Sequence, residues 1–310
     1  MILAVNPNTG IDRVLFVPRV AWNRTLRATA SAWGMAGKAS DAAWVLGELG
    51  YRPTLLGFAA GETGQRMQAM LEARGVRTDF TWTGGTSRTN IVIVGQEDGT
   101  HTTVTAEGLE VLPEHVDDLR ARYTQALERA TCVILAGKLP DGVDLALNPE
   151  LIRQAHARGV PVVYDASGPA LPIGLEAAPT MVKPNREELE ALVGRALRTQ
   201  ADVRAATRDI LARGVKVVLA TLGTEGALAV TEGRAYRIPP VPVEVVNPAG
   251  AGDAVLAGMA AALAQGKPFE EGLRLAFAAA AAVCLTPGTA DCRREDVERL
   301  LPQVQLIPLD

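Results

Sequence analysis

Asn247-Pro248-Ala249-Gly250-Ala251-Gly252-Asp253 stands between an alternating apolar run, Val241 to Val246, and an alanine-rich stretch, Ala254 to Ala264. Small residues from Ala249 to Gly252 let consecutive backbone N–H groups converge at a helix N-terminus. Unpaired donors and the helix dipole favour a negatively charged group there. Asp253 then falls in the first helical turn, beside the position of that anion. A carboxylate so placed can take a proton from an attacking hydroxyl while the amides stabilise charge on the group being transferred. A glycine turn feeding a tightly packed helix, with Asp253 as an ordinary first-turn acid, has the same local sequence. The rest of the chain has to decide between the two.

Among 310 residues, 48% are hydrophobic, enough to bury a large core as one big α/β domain or two smaller ones. A net charge of −4 without basic blocks or interleaved aromatics leaves no electrostatic footprint for nucleic acid. The apolar stretch Leu273 to Leu285 is too short to span a bilayer and carries Arg274, so it reads as a buried helix and no membrane partner is expected. Met1 to Val5 enters a strand-like run with no basic region before it, so a cytoplasmic location is expected. Cys132, Cys284 and Cys292 lack paired spacing, and His101, His115 and His156 are scattered. Neither a metal cluster nor a catalytic thiol is visible.

Strand-like runs at Ile2–Asn6, Thr54–Phe58, Cys132–Gly137, Val160–Asp165, Met181–Lys183 and Val215–Thr221 alternate with helical patterns near Asp41–Leu49, Gly64–Arg74, Pro113–Arg129 and Ala201–Arg213. Such alternation implies an α/β fold, a mostly parallel sheet covered on both faces. Two hairpin-like regions, roughly Asp12–Trp33 and Thr81–Thr105, suit strands outside that sheet, a small lid. Ligands of open α/β sheets bind beyond the carboxyl ends of the strands, so the loops after Asn6, Gly137, Lys183 and Thr221 should converge on one crevice. With no repeat or long linker, residues 1–310 read as a single domain.

Taken together, Asn6-Pro7-Asn8-Thr9-Gly10-Ile11-Asp12, Gly57 to Gly64, Ser87-Arg88-Thr89-Asn90, Lys183-Pro184-Asn185-Arg186-Glu187-Glu188, Thr221-Leu222-Gly223-Thr224-Glu225-Gly226, the Asn247–Asp253 string and Pro287-Gly288-Thr289 resemble, in order and spacing, the PfkB/ribokinase family of carbohydrate kinases. Within it they resemble the branch of 1-phosphofructokinases and tagatose-6-phosphate kinases. The resemblance implies a ribokinase-like three-layer sandwich with a β lid, ATP and Mg²⁺, and transfer of the γ-phosphoryl group to a sugar hydroxyl. It implies Asp253 as catalytic base and Ala249, Gly250, Ala251 and Gly252 as the anion hole. Phosphoryl transfer rests on positioning and charge stabilisation, so physics asks for the same parts. Fructose 1-phosphate is the substrate the branch implies, with tagatose 6-phosphate and fructose 6-phosphate as alternatives. A non-catalytic sugar- or nucleotide-binding protein on a kinase fold is the alternative of another class.

By the same resemblance Asp12 holds sugar hydroxyls, and Arg88 and Asn90 lie at the substrate phosphate, which a guanidinium matches bidentately. Arg24, Arg27 and Lys138 are further candidates to neutralise it. Lys183, Asn185, Glu188, Thr221, Gly223 and Gly226 fall on the nucleotide side, with Asn185 and Glu188 organising the metal. Asn185 and Glu188 also have the spacing of a helix capping box, and Thr221 to Gly226 can equally be a plain hairpin turn. The segment Gly34 to Ser40 is not a P-loop, because its glycine spacing is wrong and Ala39 follows Lys38 where Ser or Thr is required. It matches the family's glycine-glycine-lysine-glycine-x-asparagine segment, which places Gly37, Lys38 and Asp41 at the substrate, but with Asp41 replacing asparagine. Lys138 is a second departure, at a position usually serine. The resemblance also implies a homodimer paired through the lid.

Overall fold

Unbroken apolar runs such as Ile2–Val5 and Cys132–Leu135 send side chains to both faces of a sheet, so both faces must be covered. The computed structural model, which describes residues 1–309, has that arrangement. The chain runs β1 (Ile2–Asn8), β2 (Gly10–Val17), β3 (Ala30–Ala36), α1 (Lys38–Glu48), β4 (Thr54–Ala59), α2 (Gly61–Ala73) and β5 (Arg77–Trp82). It continues through β6 (Gly84–Gly85), β7 (Arg88–Gly95), β8 (His101–Val104), β9 (Leu109–Glu110), α3 (Pro113–Leu127), β10 (Cys132–Ala136), α4 (Leu147–Ala157) and β11 (Val162–Asp165). Next come α5 (Ala170–Leu175), β12 (Met181–Val182), α6 (Arg186–Val193), α7 (Gln200–Leu211), β13 (Val217–Thr221), β14 (Ala227–Thr231) and β15 (Ala235–Ile238). The chain closes with α8 (Ala251–Ala264), α9 (Phe269–Val283), α10 (Arg294–Leu300) and β16 (Ile307–Pro308).

Ten strands form the main sheet in the order β16-β15-β14-β13-β12-β11-β10-β1-β4-β5. Neighbours from β13 through to β5 are parallel, while β14, β15 and β16 add an antiparallel edge. Ile2, Ala4, Ile134, Val163 and Leu219 pack on one face with α1, α8 and α9. Leu3, Val5, Val133, Tyr164 and Val218 pack on the other with α3, α4 and α7. The chain builds outward from β1 through β4 to β5, then returns to β1's other side with β10. The strand order therefore reverses at β1, which puts the crevice for a ligand at the carboxyl ends of β1 and β10.

Strands β3, β2, β7 and β8 form a separate sheet over that crevice, with β2 antiparallel to β3 and parallel to β7. They come from the two regions read as hairpins, except that Thr81 and Trp82 belong to β5 of the main sheet. The alternating run Val241 to Val246 is not a strand. Pro242 removes a ladder donor from it, with Pro239 and Pro240 immediately before it, and Val245 and Val246 are 56% and 42% exposed. Helix α8 is fixed by close packing on α9, where Gly258 lies against the backbone of Ala276 with no space for a Cβ. Among the described residues no helix is long and apolar enough to cross a membrane.

Candidate active site

Gly250 takes the left-handed conformation, φ 84°, at the N-cap of α8. A Cβ there would lie 2.4 Å from the amide nitrogen of Ala290, so glycine is required on both counts. The loop bearing Ala290 is tied to the string: the Ala290 N–H donates to the Ala249 carbonyl at 2.9 Å, and Asn247 Nδ2 to the Pro287 carbonyl at 3.1 Å. The expected row of free amides is narrower than sequence implies. The Ala249 N–H donates to Asn247 Oδ1 and the Ala251 N–H to the Pro248 carbonyl. The amides of Gly250 and Gly252 have no partner among the described residues and remain for an anion.

Asp253 follows in the first turn of α8. It keeps part of its surface accessible although protein surrounds it closely. Burial and the neighbouring Asp165 charge push its carboxyl up to about 6, against the pull of Lys183 and Lys38. Lys183, which follows β12, is buried, and its Nζ lies 3.6 Å from the point a Gly252 Cβ would occupy. It pairs with Asp165 Oδ2 at 2.8 Å. Lys38 Nζ reaches the other oxygen of Asp165 at 2.5 Å. Burial alone would raise Asp165, but Lys183 and Lys38 outweigh it and hold the carboxyl below its ordinary value.

Lys38 also bonds Ser167 Oγ and Glu188 Oε1, both at 3.1 Å. Sequence groups it with the sugar-holding residues, whereas the structure sets it between Asp165 and Glu188. Burial would lower its ammonium, yet Asp165, Glu188 and Asp253 together raise it, so Lys38 stays charged. Asn185 and Glu188 do form a capping box: Asn185 Oδ1 accepts from the Glu188 N–H at 2.8 Å, and Glu188 Oε2 accepts from the Asn185 N–H at 2.9 Å. The same Glu188 thus caps α6 with one oxygen and holds Lys38 and Ser167 with the other. Among the described residues no three His, Cys, Asp or Glu side chains form a metal cage. This donor set fits a magnesium ion that arrives on nucleotide phosphates and keeps much of its water.

Thr221 bridges to Asn185 and donates its N–H to the Pro184 carbonyl, which joins the two segments expected on the nucleotide side. Thr221 to Gly226 is also the turn of the β13–β14 hairpin. Gly226, φ 91°, would place a Cβ 2.0 Å from the Ile238 carbonyl oxygen, so backbone packing accounts for this glycine. Gly223, φ 60°, faces open space and leaves the turn's outer side clear.

In the lid, β2 and β7 place Asp12 directly beside Asn90, whose Nδ2 donates to Asp12 Oδ1 at 2.9 Å. Burial raises Asp12, against hydrogen bonding by Thr289 and Asn90 and the charge of Arg88. Arg88 has a buried Nε with no partner, and its charge acts on Asp12, Asp41 and Glu107. Gly37 caps α1 and accepts from the Asp41 N–H at 2.9 Å. Lys138 pairs with Glu107 at 2.8 Å and Asp141 at 3.5 Å, and is 59% exposed. It therefore does not compensate Asp41. Arg24 and Arg27 lie exposed in the loop between β2 and β3.

Two site residues escape the sequence reading. Asp165 joins Lys38 to Lys183 and was signalled only by its place at the carboxyl end of a parallel strand. Glu107 joins Asn8, whose Nδ2 donates to it at 3.2 Å, to Lys138. A cavity of about 820 Å³ lies elsewhere, lined by Arg204, Arg208, Lys216 and Arg234 near the amino end of β13, and contains none of these groups.

Residues 8–296 match the description of a pfkB family carbohydrate kinase. The 1-phosphofructokinase of Haloferax volcanii is 33% identical over 298 residues, covering 96% of this chain and 95% of that protein. The 1-phosphofructokinase of Escherichia coli K12 is 29% identical over 309 residues, covering 100% and 99%. The crystal structure of phosphofructokinase-2 from Escherichia coli in complex with substrates and products aligns with a TM-score of 0.90 at 27% identity, covering 97% of this chain and 98% of that one. Helices on both faces of a mostly parallel sheet make this the ribokinase-like sandwich that the motifs imply. Together, the ordered motifs, the glycine string at α8 and the match over nearly the full length show that the chain belongs to the pfkB family of carbohydrate kinases.

Proposed function

We propose that this kinase transfers the γ-phosphoryl group of ATP to fructose 1-phosphate, giving fructose 1,6-bisphosphate and ADP. The observation that carries the reading is Asp253: a carboxylate raised toward neutrality, partly accessible, in the same first turn of α8 as the free amides of Gly250 and Gly252. The sugar hydroxyl oxygen attacks the γ-phosphorus as the bond to the β,γ-bridging oxygen breaks, and the hydroxyl proton passes to the Asp253 carboxylate. The Gly250 and Gly252 amides face the charge that develops on the phosphoryl oxygens. Lys183 and Lys38, held by Asp165, add positive charge beside them. Asp12 and Asn90 orient sugar hydroxyls, and Arg88, whose buried Nε has no partner among the described residues, takes the sugar phosphate. Asn185, Glu188, Thr221 and Gly223 serve the nucleotide. A magnesium ion bound with ATP would neutralise phosphate charge, with Asn185 and Glu188 holding its water.

Fructose 1-phosphate is preferred because the relatives that match over nearly the whole chain carry the name 1-phosphofructokinase. The test is ATP consumption with Mg²⁺ across fructose 1-phosphate, fructose 6-phosphate, tagatose 6-phosphate, fructose, ribose and adenosine. The expected result is kcat/KM for fructose 1-phosphate at least about tenfold above the others, a discrimination of about 1.4 kcal/mol. Equal or better turnover of fructose 6-phosphate or tagatose 6-phosphate would reassign the substrate, and ATP binding without any turnover would favour a non-catalytic binder.

The proposal includes a homodimer through the lid. Leu15, Ile91 and Ile93 are only half-buried on β2 and β7, and Val104 on β8 is 56% exposed, so one lid face is apolar and uncovered. Sedimentation at micromolar concentration should give the mass of two chains, and a monomer there would overturn this part.

A further inference from the structure

Asp41 is 5% exposed, and its Oδ1 is buried without a hydrogen-bond partner among the described residues. It sits in the first turn of α1, which packs directly on α8 and sets its carboxyl beside that of Asp253. Two ionised carboxylates only accept, so a hydrogen bond between them requires a proton on one of them. The surrounding charges decide which. Asp253 faces Lys38, Lys183 and Asp165, that is, two cations and one anion. Asp41 faces Asp253, Asp12 and Arg88, that is, two anions and one cation that it shares with Asp12.

We infer that Asp41 is held protonated and donates its hydroxyl to Asp253, so that the two carboxyls share one proton and Asp41 acts as a positioning residue for the base. Burial, then the Asp253 charge, then the Asp12 charge raise Asp41 well above an ordinary carboxyl. The related segment elsewhere in the family has asparagine here, which donates at every pH. Asp41 donates only while protonated, so this chain carries a titratable support where asparagine would be constant. As pH rises and Asp41 ionises, Asp253 loses its donor and the site gains a negative charge beside an anionic substrate. The inference rests on the assignment of Asp253 as base only for its kinetic consequence, since the shared proton itself is a property of the resting protein.

Two measurements test it. The first compares kcat/KM against pH for wild type and Asp41→Asn, each normalised to its own plateau. Wild type should fall at both ends, by about tenfold per unit beyond each titration, whereas Asp41→Asn keeps the acid limb and loses the alkaline one. The second is the infrared carbonyl stretch of a protonated carboxyl at neutral pH, present in wild type, absent in Asp41→Asn, and lost from wild type on raising the pH. An alkaline limb that persists in Asp41→Asn overturns the kinetic role, and absence of the band in wild type overturns the shared proton. If no sugar phosphate is turned over, the substrate assignment has failed while the infrared band still decides the inference.

Discussion

Asp253→Asn lowers kcat by about 10³-fold, within the 10²–10⁴ that a general base supplies, while ATP still binds. Asparagine keeps the shape of the side chain and a carbonyl acceptor but cannot take the hydroxyl proton. Nucleotide affinity is retained or improved, because a neutral amide beside the Gly250 and Gly252 N–H groups repels phosphate less than a carboxylate does. Stability separates loss of chemistry from loss of fold. The Asp253 carboxyl is raised to about 6 in the folded protein, above the ordinary value of roughly 3.9. The folded state therefore binds this proton more tightly than the unfolded chain does. The stability that this proton contributes is fully present below pH ~4 and is lost as pH rises through about 6. At neutral pH Asp253 thus opposes folding, and Asp253→Asn should be at least as stable as wild type by denaturant titration. Wild-type kcat/KM should itself decline below pH of about 6 as the base is protonated. Turnover within about tenfold of wild type would remove Asp253 from the mechanism.

Local patterns in the chain announce much of this site. The glycine string is legible because the requirements of a helix N-terminus are written in adjacent residues, and the capping spacing of Asn185 and Glu188 reports the start of α6. Two motifs assign Asp12 and Asn90 to the substrate, but that β2 and β7 set them side by side is seen only in the fold. Long-range partnerships are not written this way. Asp165 looks like the last residue of an apolar strand, and the partner that explains it, Lys38, lies 127 positions away. Whether Lys38 serves sugar or nucleotide depends on where α1 sits relative to β11, which no spacing reports. Val241 to Val246 misleads in the opposite sense. Its alternation has the strand period, but Pro242 withholds a ladder donor, and the edge of the sheet goes instead to β16, paired on the hairpin of β14 and β15. The Asp41 substitution is plain in sequence, while its meaning appears only when α1 meets α8 and two carboxyls face each other.

Asp165→Asn should cost about 3–5 kcal/mol, a large share of a typical stability of roughly 5–15 kcal/mol, and should also impair turnover. Asp165 is 1% exposed and Lys183 4%, so the pair is shielded from water on both sides. Replacing the carboxylate by an amide leaves the Lys183 ammonium buried without its anion and frees Lys38 from one of its three contacts. The pH dependence has a definite sign. Because the folded Asp165 carboxyl lies below its ordinary value, its contribution is present above the unfolded value near ~4 and is lost as pH falls through the folded value. The stability gap between wild type and Asp165→Asn should therefore hold constant around neutral pH and close only in strong acid. A second change distinguishes an uncompensated charge from a packing defect: adding Lys183→Met to Asp165→Asn removes the stranded ammonium and should recover part of the lost stability without restoring turnover. Equal denaturation midpoints for Asp165→Asn and wild type at pH 7 would show that the buried carboxylate does not hold the lysines. The charge beside Gly252 would then need another source. If instead stability falls and the double variant recovers it alone, Asp165 is what holds the two lysines beside the glycine string, a duty that chemistry at Asp253 depends on but that Asp253 cannot perform for itself.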